Sequence, residues 1–321
     1  MNPVVTSAFS KVRMRLVLCA WFKILLPTLL LVAGLIVDGI RLPARAQDMS
    51  EVELEKEEQL EGDFTNPLST LPQLVVRDSW AAATYAPCTP PAPCWRDDQT
   101  NQAIFRPLIP RIPPNTLLPI PQLVRPTFSL VSVPSFRGGT RTEFGDLPLF
   151  DLAVVPWPNP KETGLLWGIG PTFLFPTATS KSAGQGTWEA GPAIGAVYAR
   201  IPGLLIGFVA QNPISFSYTR AGVPAQSSLE FQPVFALHLW DKWYLRSAEA
   251  NWSIGWHHHS PTTLPLSLGL GRTLVRPGLP PMSLFVTGTW MAYRDYAPIA
   301  PQTAINFGAT VAFPRLQSVW K

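Results

Sequence analysis

The chain has 321 residues, of which 14% are charged and 11% are aromatic, including 12 tryptophans. The charged fraction lies well below the quarter that is typical of soluble domains, and the length allows one large domain or two ordinary ones. After the N-terminus there is no run of about 18 apolar residues, the length that a membrane-spanning helix needs. This composition favours a barrel of strands in which apolar and polar residues alternate over a helical membrane bundle.

The first 46 residues have the features of a cleavable signal peptide. Basic residues from Lys11 to Lys23 precede the apolar stretch 24–37, and Ala44-Arg45-Ala46 is a small-x-small cleavage site. An uncleaved inner-membrane anchor is the alternative. The segment carries six basic residues against one acidic residue, a net +5, so the whole-chain charge of +4 becomes 4 − 5 = −1 after cleavage. A nearly neutral mature chain predicts no nucleic-acid partner.

Residues 47–126 are predicted to form an acidic and proline-rich periplasmic segment or a plug. The stretch 48–63 holds eight acidic residues and one lysine, which is typical of a solvated tail. Prolines crowd 64–126, and proline cannot donate a hydrogen bond to a strand ladder. Cys88 and Cys94 flank a proline-stiffened loop, so an oxidising periplasm would favour a local disulfide between them.

From residue 127 to 321 the pattern predicts an all-β fold, a transmembrane antiparallel up-and-down β-barrel. The clearest strand places Ile305, Phe307 and Val311 on one face and Asn306 and Thr310 on the other. Strand length and the scarcity of charge on the larger-residue faces disfavour the alternative of a soluble β-sandwich. About ten strands are expected, or twelve if 102–126 adds a hairpin; the ten candidates are 127–136, 148–157, 164–176, 189–201, 203–218, 229–240, 242–257, 265–276, 281–295 and 302–314.

Polar residues on the small-residue faces are the candidates for a lumen or substrate path. These residues are Glu230, Gln232, His238, Glu249, Asn251 and Ser253. A packed polar interior is the alternative, because narrow barrels fill their interior with side chains. In 242–257 the alternation predicts that Tyr244 shares a face with Trp252, opposite Glu249. Five prolines inside strand candidates are expected at edges, bulges or strand ends: Pro134, Pro171, Pro192, Pro213 and Pro233.

Several sequence phrases resemble the family of outer-membrane proteins named after the meta-pathway of phenol degradation. The phrases are Gly164–Pro171, Leu174–Thr179, Gly184–Pro192, Phe231–Pro233, Asp241–Leu245 and Val311–Pro314. The resemblance runs in order from about Thr127 to Pro314. It implies an outer-membrane barrel linked to the uptake of aromatic or hydrophobic compounds, and it brings no catalytic motif. The chain departs from the family in its extension from Arg315 to Lys321 and in its proline-rich 64–126.

The sequence therefore supports three hypotheses in descending order. The first is an outer-membrane barrel that transports or binds small hydrophobic or aromatic compounds, with membrane lipid as its other partner. The second is a structural or adhesive barrel without transport. The third is a membrane-embedded lipid hydrolase that would use His257 or His259 with Ser260 and Glu249, although no nucleophile motif surrounds them. We expect no enzyme activity, no catalytic residues, no cofactor and no metal site, even at His257-His258-His259.

Overall fold

The structure is a computed structural model, and it describes residues 60, 62–87, 93–96, 99–116, 119–134, 140–155, 164–256, 261–276, 278–295 and 300–318. The predicted signal peptide, most of the acidic stretch, Cys88 and His257–Ser260 lie outside these residues. Within them, no helix has the length and apolar character needed to cross a membrane.

Seventeen strand segments form one continuous sheet in the described part of the chain. In chain order they are β1 (Gln73–Pro87), β2 (Pro93–Arg96), β3 (Thr100–Arg111), β4 (Gln122–Pro126), β5 (Phe128–Pro134), β6 (Thr140–Phe144), β7 (Leu147–Val155), β8 (Leu165–Phe175), β9 (Thr187–Tyr198), β10 (Leu204–Gln211), β11 (Ile214–Tyr218), β12 (Ser228–Trp240), β13 (Trp243–Arg246), β14 (Trp252–Gly255), β15 (Thr262–Leu274), β16 (Met282–Asp295) and β17 (Ala300–Ala312). A short 3-10 helix, Pro314–Ser318, follows β17.

The sheet closes into an antiparallel barrel of twelve strands, because β1 pairs with β17 on one side and with β3 on the other. Four strands of the barrel are each made of two successive segments: β4 with β5, β6 with β7, β10 with β11, and β13 with β14. Segments β2 and β3 likewise both pair with β1. The predicted up-and-down barrel is confirmed, with the higher of the two expected strand counts.

The barrel wall begins at Gln73 rather than at residue 127, which corrects the predicted boundary. Segments β1, β3 and β4 lie within 73–126, the region that the prolines had suggested was outside the sheet. Pro107 lies between the part of β3 that pairs with β5 and the part that pairs with β4. Pro110 lies beyond the last β3 residue that pairs with β1. Each proline thus has one unpaired side, so its missing N–H removes no ladder bond.

The prolines farther along the chain lie beside interruptions of the ladder, as expected. Pro171 lies where β8 is not paired with β7, and Pro192 and Pro213 lie where β9 is paired with neither β10 nor β11. Pro233 faces the gap between β13 and β14, and Pro134 is the last residue of β5. Near each of these prolines the strand therefore stays hydrogen-bonded to the sheet through its neighbour on the opposite side.

Large apolar side chains cover the outer face of the barrel, whereas the inner face carries polar side chains together with a cluster of buried apolar ones. In β17, Ile305 is 42% exposed whereas Asn306 is 4% exposed. In β15, Leu266, Leu268 and Leu270 are likewise exposed. An apolar outer face on strands that close into a barrel is the arrangement of a barrel surrounded by lipid.

The predicted face of Tyr244 is wrong. Arg246 lies opposite Ala236, but Trp252 lies opposite Phe231, so the strand formed by β13 and β14 gains one residue relative to β12. Side chains along a strand alternate between the two faces with a period of two. One extra residue therefore moves every side chain that precedes it in the strand to the opposite face from the one predicted. Tyr244 therefore points inward, where its hydroxyl contacts that of Ser283.

Candidate functional site

Residues 62–72, which we call the inner segment, enter the barrel at the end where Gln73 and Ala312 lie opposite each other. The side chain of Leu68 is 0% exposed and belongs to the main apolar cluster, whose other members are inward-facing wall residues. These are Leu108, Leu123, Phe150, Leu152, Val154, Leu166, Ala193, Val197, Leu205, Val209, Val234, Ala236 and Tyr244. Because strands on several sides of the wall contribute, Leu68 lies within the lumen and closes it at this level.

Polar contacts fasten the inner segment to the start of β1. The buried Gln73 donates from Nε2 to the carbonyl of Asp63 at 2.7 Å and to the Ser69 hydroxyl at 3.1 Å. Ser69 in turn donates to the Asp63 carboxylate at 3.1 Å. Burial raises the pKa of Asp63 from 3.8 to about 6, partly offset by this bond from Ser69. Phe64 and Leu71 pack with Ala312 in a second apolar cluster.

Four arginines surround one glutamate in the middle of the lumen, and we call them the arginine cluster: Arg77 on β1, Arg106 on β3, Arg125 on β4 and Arg246 on β13. Arg106 forms an ion pair with Glu249, and Arg77 Nη1 lies 3.6 Å from a carboxylate oxygen of Glu249. Arg125 and Arg246 are also close enough to interact with the charge of Glu249. Four positive charges and one negative charge leave a net of +3 at this level.

Glu249 reaches these arginines because its part of the wall bends inward. Residues 247–251 join β13 to β14, and they contain the extra residue that reverses the faces. Arg77, which lies in a different part of the wall, donates to the backbone carbonyl of Glu249 at 3.3 Å. Ser247 and Ser267 hydroxyls replace ladder bonds on the two flanks of the bend. The bend narrows the lumen at the arginine cluster.

Three members of the arginine cluster have donors that are not used in the described part of the chain, namely Arg77 at Nε, Arg125 and Arg246. The guanidinium of Arg125 lies over the ring of Phe150 at 3.9 Å, and that of Arg246 lies over Phe285 at 4.0 Å. Arg125 is 9% exposed and Arg246 is 4% exposed. Arg125 Nε and Arg246 Nη1 have no hydrogen-bond partner in the described part of the chain. Buried donors without partners are costly, so these N–H groups are available to an anion or to water.

A cavity of about 30 Å³ lies between the inner segment and the arginine cluster. Its lining includes Phe64–Pro67 of the inner segment and Arg106, Arg125 and Arg246 of the wall. Glu249 is the one acidic side chain in this lining among the described residues. The volume holds on the order of two water molecules. The space between the inner segment and the arginine cluster is therefore too small for a solute with an aromatic ring.

A second polar network in the barrel joins neutral side chains to the carboxylate of Glu230. Gln211 accepts a bond from Thr172 at 3.0 Å and donates to Glu230 at 2.6 Å. Asn251 donates to the same oxygen of Glu230 at 3.2 Å. The lumen thus contains an apolar, a strongly basic and a polar region.

The structure places the predicted lumen residues in three groups. Gln232 and Glu249 line the cavity. Glu230 and Asn251 bond to each other, and Ser253 lies opposite Glu230 in the ladder. His238 lies apart from both groups, next to Gly203 in the turn between β9 and β10. Whether these residues form a substrate path stays a prediction.

The arginine cluster was missed by sequence reasoning, although a signal for it existed. Arg77, Arg106 and Arg125 fall in the region taken for a periplasmic segment, and Arg246 was assigned no face. Arg106 interrupts a run of apolar residues, Ile104-Phe105-Arg106-Pro107-Leu108. A lone arginine in such a run is a candidate for the inner face of a barrel.

The remaining predicted sites gain little from the structure. Cys88 lies outside the described residues, so the disulfide with Cys94 stays a prediction, as does any role of His257–Ser260. Glu249, the acid that the hydrolase hypothesis needs, is held by Arg77 and Arg106. No group of three or more His, Cys, Asp or Glu side chains is placed to hold a metal ion in the part of the chain that the structure describes.

By sequence, the chain matches no family model and no curated protein. By structure, it is similar to an outer membrane channel from Pseudomonas putida F1, with a TM-score of 0.51 and 13% identity over 78% of this chain and 98% of that one. Weaker likenesses are to the KdgM porin, with a TM-score of 0.40, 6% identity and coverage of 75% and 99%. A Pseudomonas aeruginosa FadL homologue has a TM-score of 0.33, 10% identity and coverage of 79% and 93%. The first likeness supports the architecture of an outer-membrane β-barrel.

Proposed function

We propose that this protein is an outer-membrane channel for small solutes and that the inner segment closes it. The observation that carries the proposal is the closure of the lumen by residues 62–72, which are not part of the wall. Wall side chains alone fill the interior of a barrel of about eight strands, and a barrel of twelve strands is wider. Here Leu68, from outside the wall, completes the apolar layer. Movement of the inner segment would open this layer without breaking any strand pairing.

The two chemical characters of the lumen suggest which solutes would pass. The layer around Leu68 is lined by aliphatic and aromatic side chains, which favours small hydrophobic or aromatic compounds. The arginine cluster beyond it favours negative over positive charge. The likeness to an outer membrane channel and the phrases that resemble the phenol meta-pathway family agree with transport rather than catalysis. Export by the predicted signal peptide and contact with outer-membrane lipid belong to the same proposal.

Solute flux into liposomes tests this function. Purified full-length protein is reconstituted, and swelling is followed with uncharged solutes of graded size and polarity. We expect slow swelling above that of empty liposomes, and faster swelling once docking of the inner segment is weakened. Swelling equal to that of empty liposomes for every solute, with the barrel folded and with the inner segment weakened, would favour the structural or adhesive alternative.

A further inference from the structure

We propose that the arginine cluster is a binding site for the carboxylate of a small organic acid, whose apolar part takes the place of Leu68. This inference rests on the proposed function and names the class of solute that the channel would select. The site is built from the unpaired donors of Arg125 and Arg246, the cavity between them and the inner segment, and the apolar layer next to it.

The charge balance of the cluster favours one added anion. Glu249 pairs with Arg106 and Arg77, although Arg77 Nε keeps no partner in the described part of the chain, while the guanidinium groups of Arg125 and Arg246 lie over the rings of Phe150 and Phe285. One carboxylate would reduce the net charge from +3 to +2 and would accept bonds from the unpaired donors. Arginine forks match the two oxygens of a carboxylate better than a spherical ion, so an organic acid should bind more tightly than chloride.

The size of the cavity separates the head group of the ligand from its remainder. Space for about two waters admits a carboxylate but not an aromatic ring. Phe150 is shared between the two regions, because it lies under Arg125 and also belongs to the apolar cluster that contains Leu68. A ring attached to the carboxylate would therefore enter the space that Leu68 occupies. An aromatic or aliphatic monocarboxylate would thus compete with the inner segment, and its binding would open the lumen.

Calorimetric titration of the full-length protein in detergent tests the proposal, with sodium acetate, sodium benzoate and benzyl alcohol as probes. We expect acetate and benzoate to bind, and benzyl alcohol to bind more weakly than benzoate. Arg125→Gln should weaken benzoate binding at least about tenfold, the usual effect of losing a bond to a charged group. Arg246→Gln should do the same. Arg141→Gln removes an exposed arginine away from the cluster and should leave the affinity unchanged.

A second variant distinguishes the two parts of the site. Leu68→Ala should raise the affinity for benzoate, which competes with Leu68, and should leave the affinity for acetate within about twofold. Two results would overturn the proposal. One is equal affinity for benzoate and benzyl alcohol; the other is unchanged benzoate binding in both the Arg125→Gln and the Arg246→Gln variants, with each barrel folded. Chloride competing with benzoate at equal concentration would show an adventitious ion only. Liposome swelling with uncharged solutes is measured in parallel, so a channel without a carboxylate site is recognised as such.

Discussion

Leu68→Ala is the substitution that most directly weakens closure by the inner segment. The Leu68 side chain is fully buried within the main apolar cluster. Truncation of a buried leucine to alanine costs about 2–5 kcal/mol, since the apolar contacts are lost and a cavity remains. This cost falls on docking of the inner segment, because Leu68 belongs to no strand. At about 1.4 kcal/mol for each factor of ten, the ratio of docked to undocked molecules should fall roughly 30-fold to several thousand-fold.

Liposome swelling and thermal unfolding together check this prediction. Leu68→Ala should increase the rate of swelling and should leave the unfolding of the barrel nearly unchanged. Leu123→Ala is the matched control, because Leu123 is equally buried in the same cluster but belongs to β4 of the wall. It should lower the thermal stability of the barrel with little effect on swelling. If both variants had the same effects, or if Leu68→Ala swelled no faster than the unaltered protein, closure by the inner segment would be refuted.

Three further substitutions test separate parts of the structure. The pKa of Asp63 is about 6 in the folded protein against the usual 3.8, so the docked inner segment holds the proton more tightly than the undocked one. Docking is therefore strongest when Asp63 is protonated, and it should weaken by up to about 3 kcal/mol as the pH rises from 4 to 6. Swelling should thus be slower at pH 4.5 than at pH 7, and Asp63→Asn should abolish this difference. Glu249→Gln leaves Arg77 and Arg106 without their carboxylate, so the free energy of unfolding in denaturant should fall by about 2–3 kcal/mol. An unchanged denaturation midpoint would show that these ion pairs do not stabilise the fold. Gly271→Ala places a methyl group against the ring of Tyr244, so the melting temperature should fall by an amount corresponding to about 1–3 kcal/mol; an equal or higher value would show that the ring can move aside.

The ten strands after residue 127 could be predicted because their outer faces carry a simple physical signal. Large apolar residues alternate with small or polar ones wherever one face meets lipid and the other the lumen, as in β15 and β17. The first strands were missed because prolines dominate their composition. Pro107 and Pro110 are compatible with strand β3 only because neighbouring strands begin and end beside them, and this arrangement is invisible in the sequence.

The candidate site could be predicted only in part, for two reasons. Glu249 and Gln232 were both identified from alternation alone, but only Gln232 lies on a regular strand, whereas Glu249 lies in the bend 247–251. The arginines that hold Glu249 come from three strands hidden in the proline-rich region and from one strand whose register changes at residues 247–251. A one-residue shift reverses the faces without changing the local apolar pattern, so Tyr244 and Arg246 could not be placed correctly.

Single-channel current across a planar bilayer tests the central claim, that the lumen is an aqueous path closed by the inner segment. For the full-length protein in a salt gradient, we predict rare openings whose reversal potential shows a preference for anions, because the arginine cluster carries a net +3. Leu68→Ala should open far more often with the same preference. A folded protein that never conducts, in either the unaltered or the Leu68→Ala form, would contradict the claim, and a preference for cations would contradict the role of the arginine cluster.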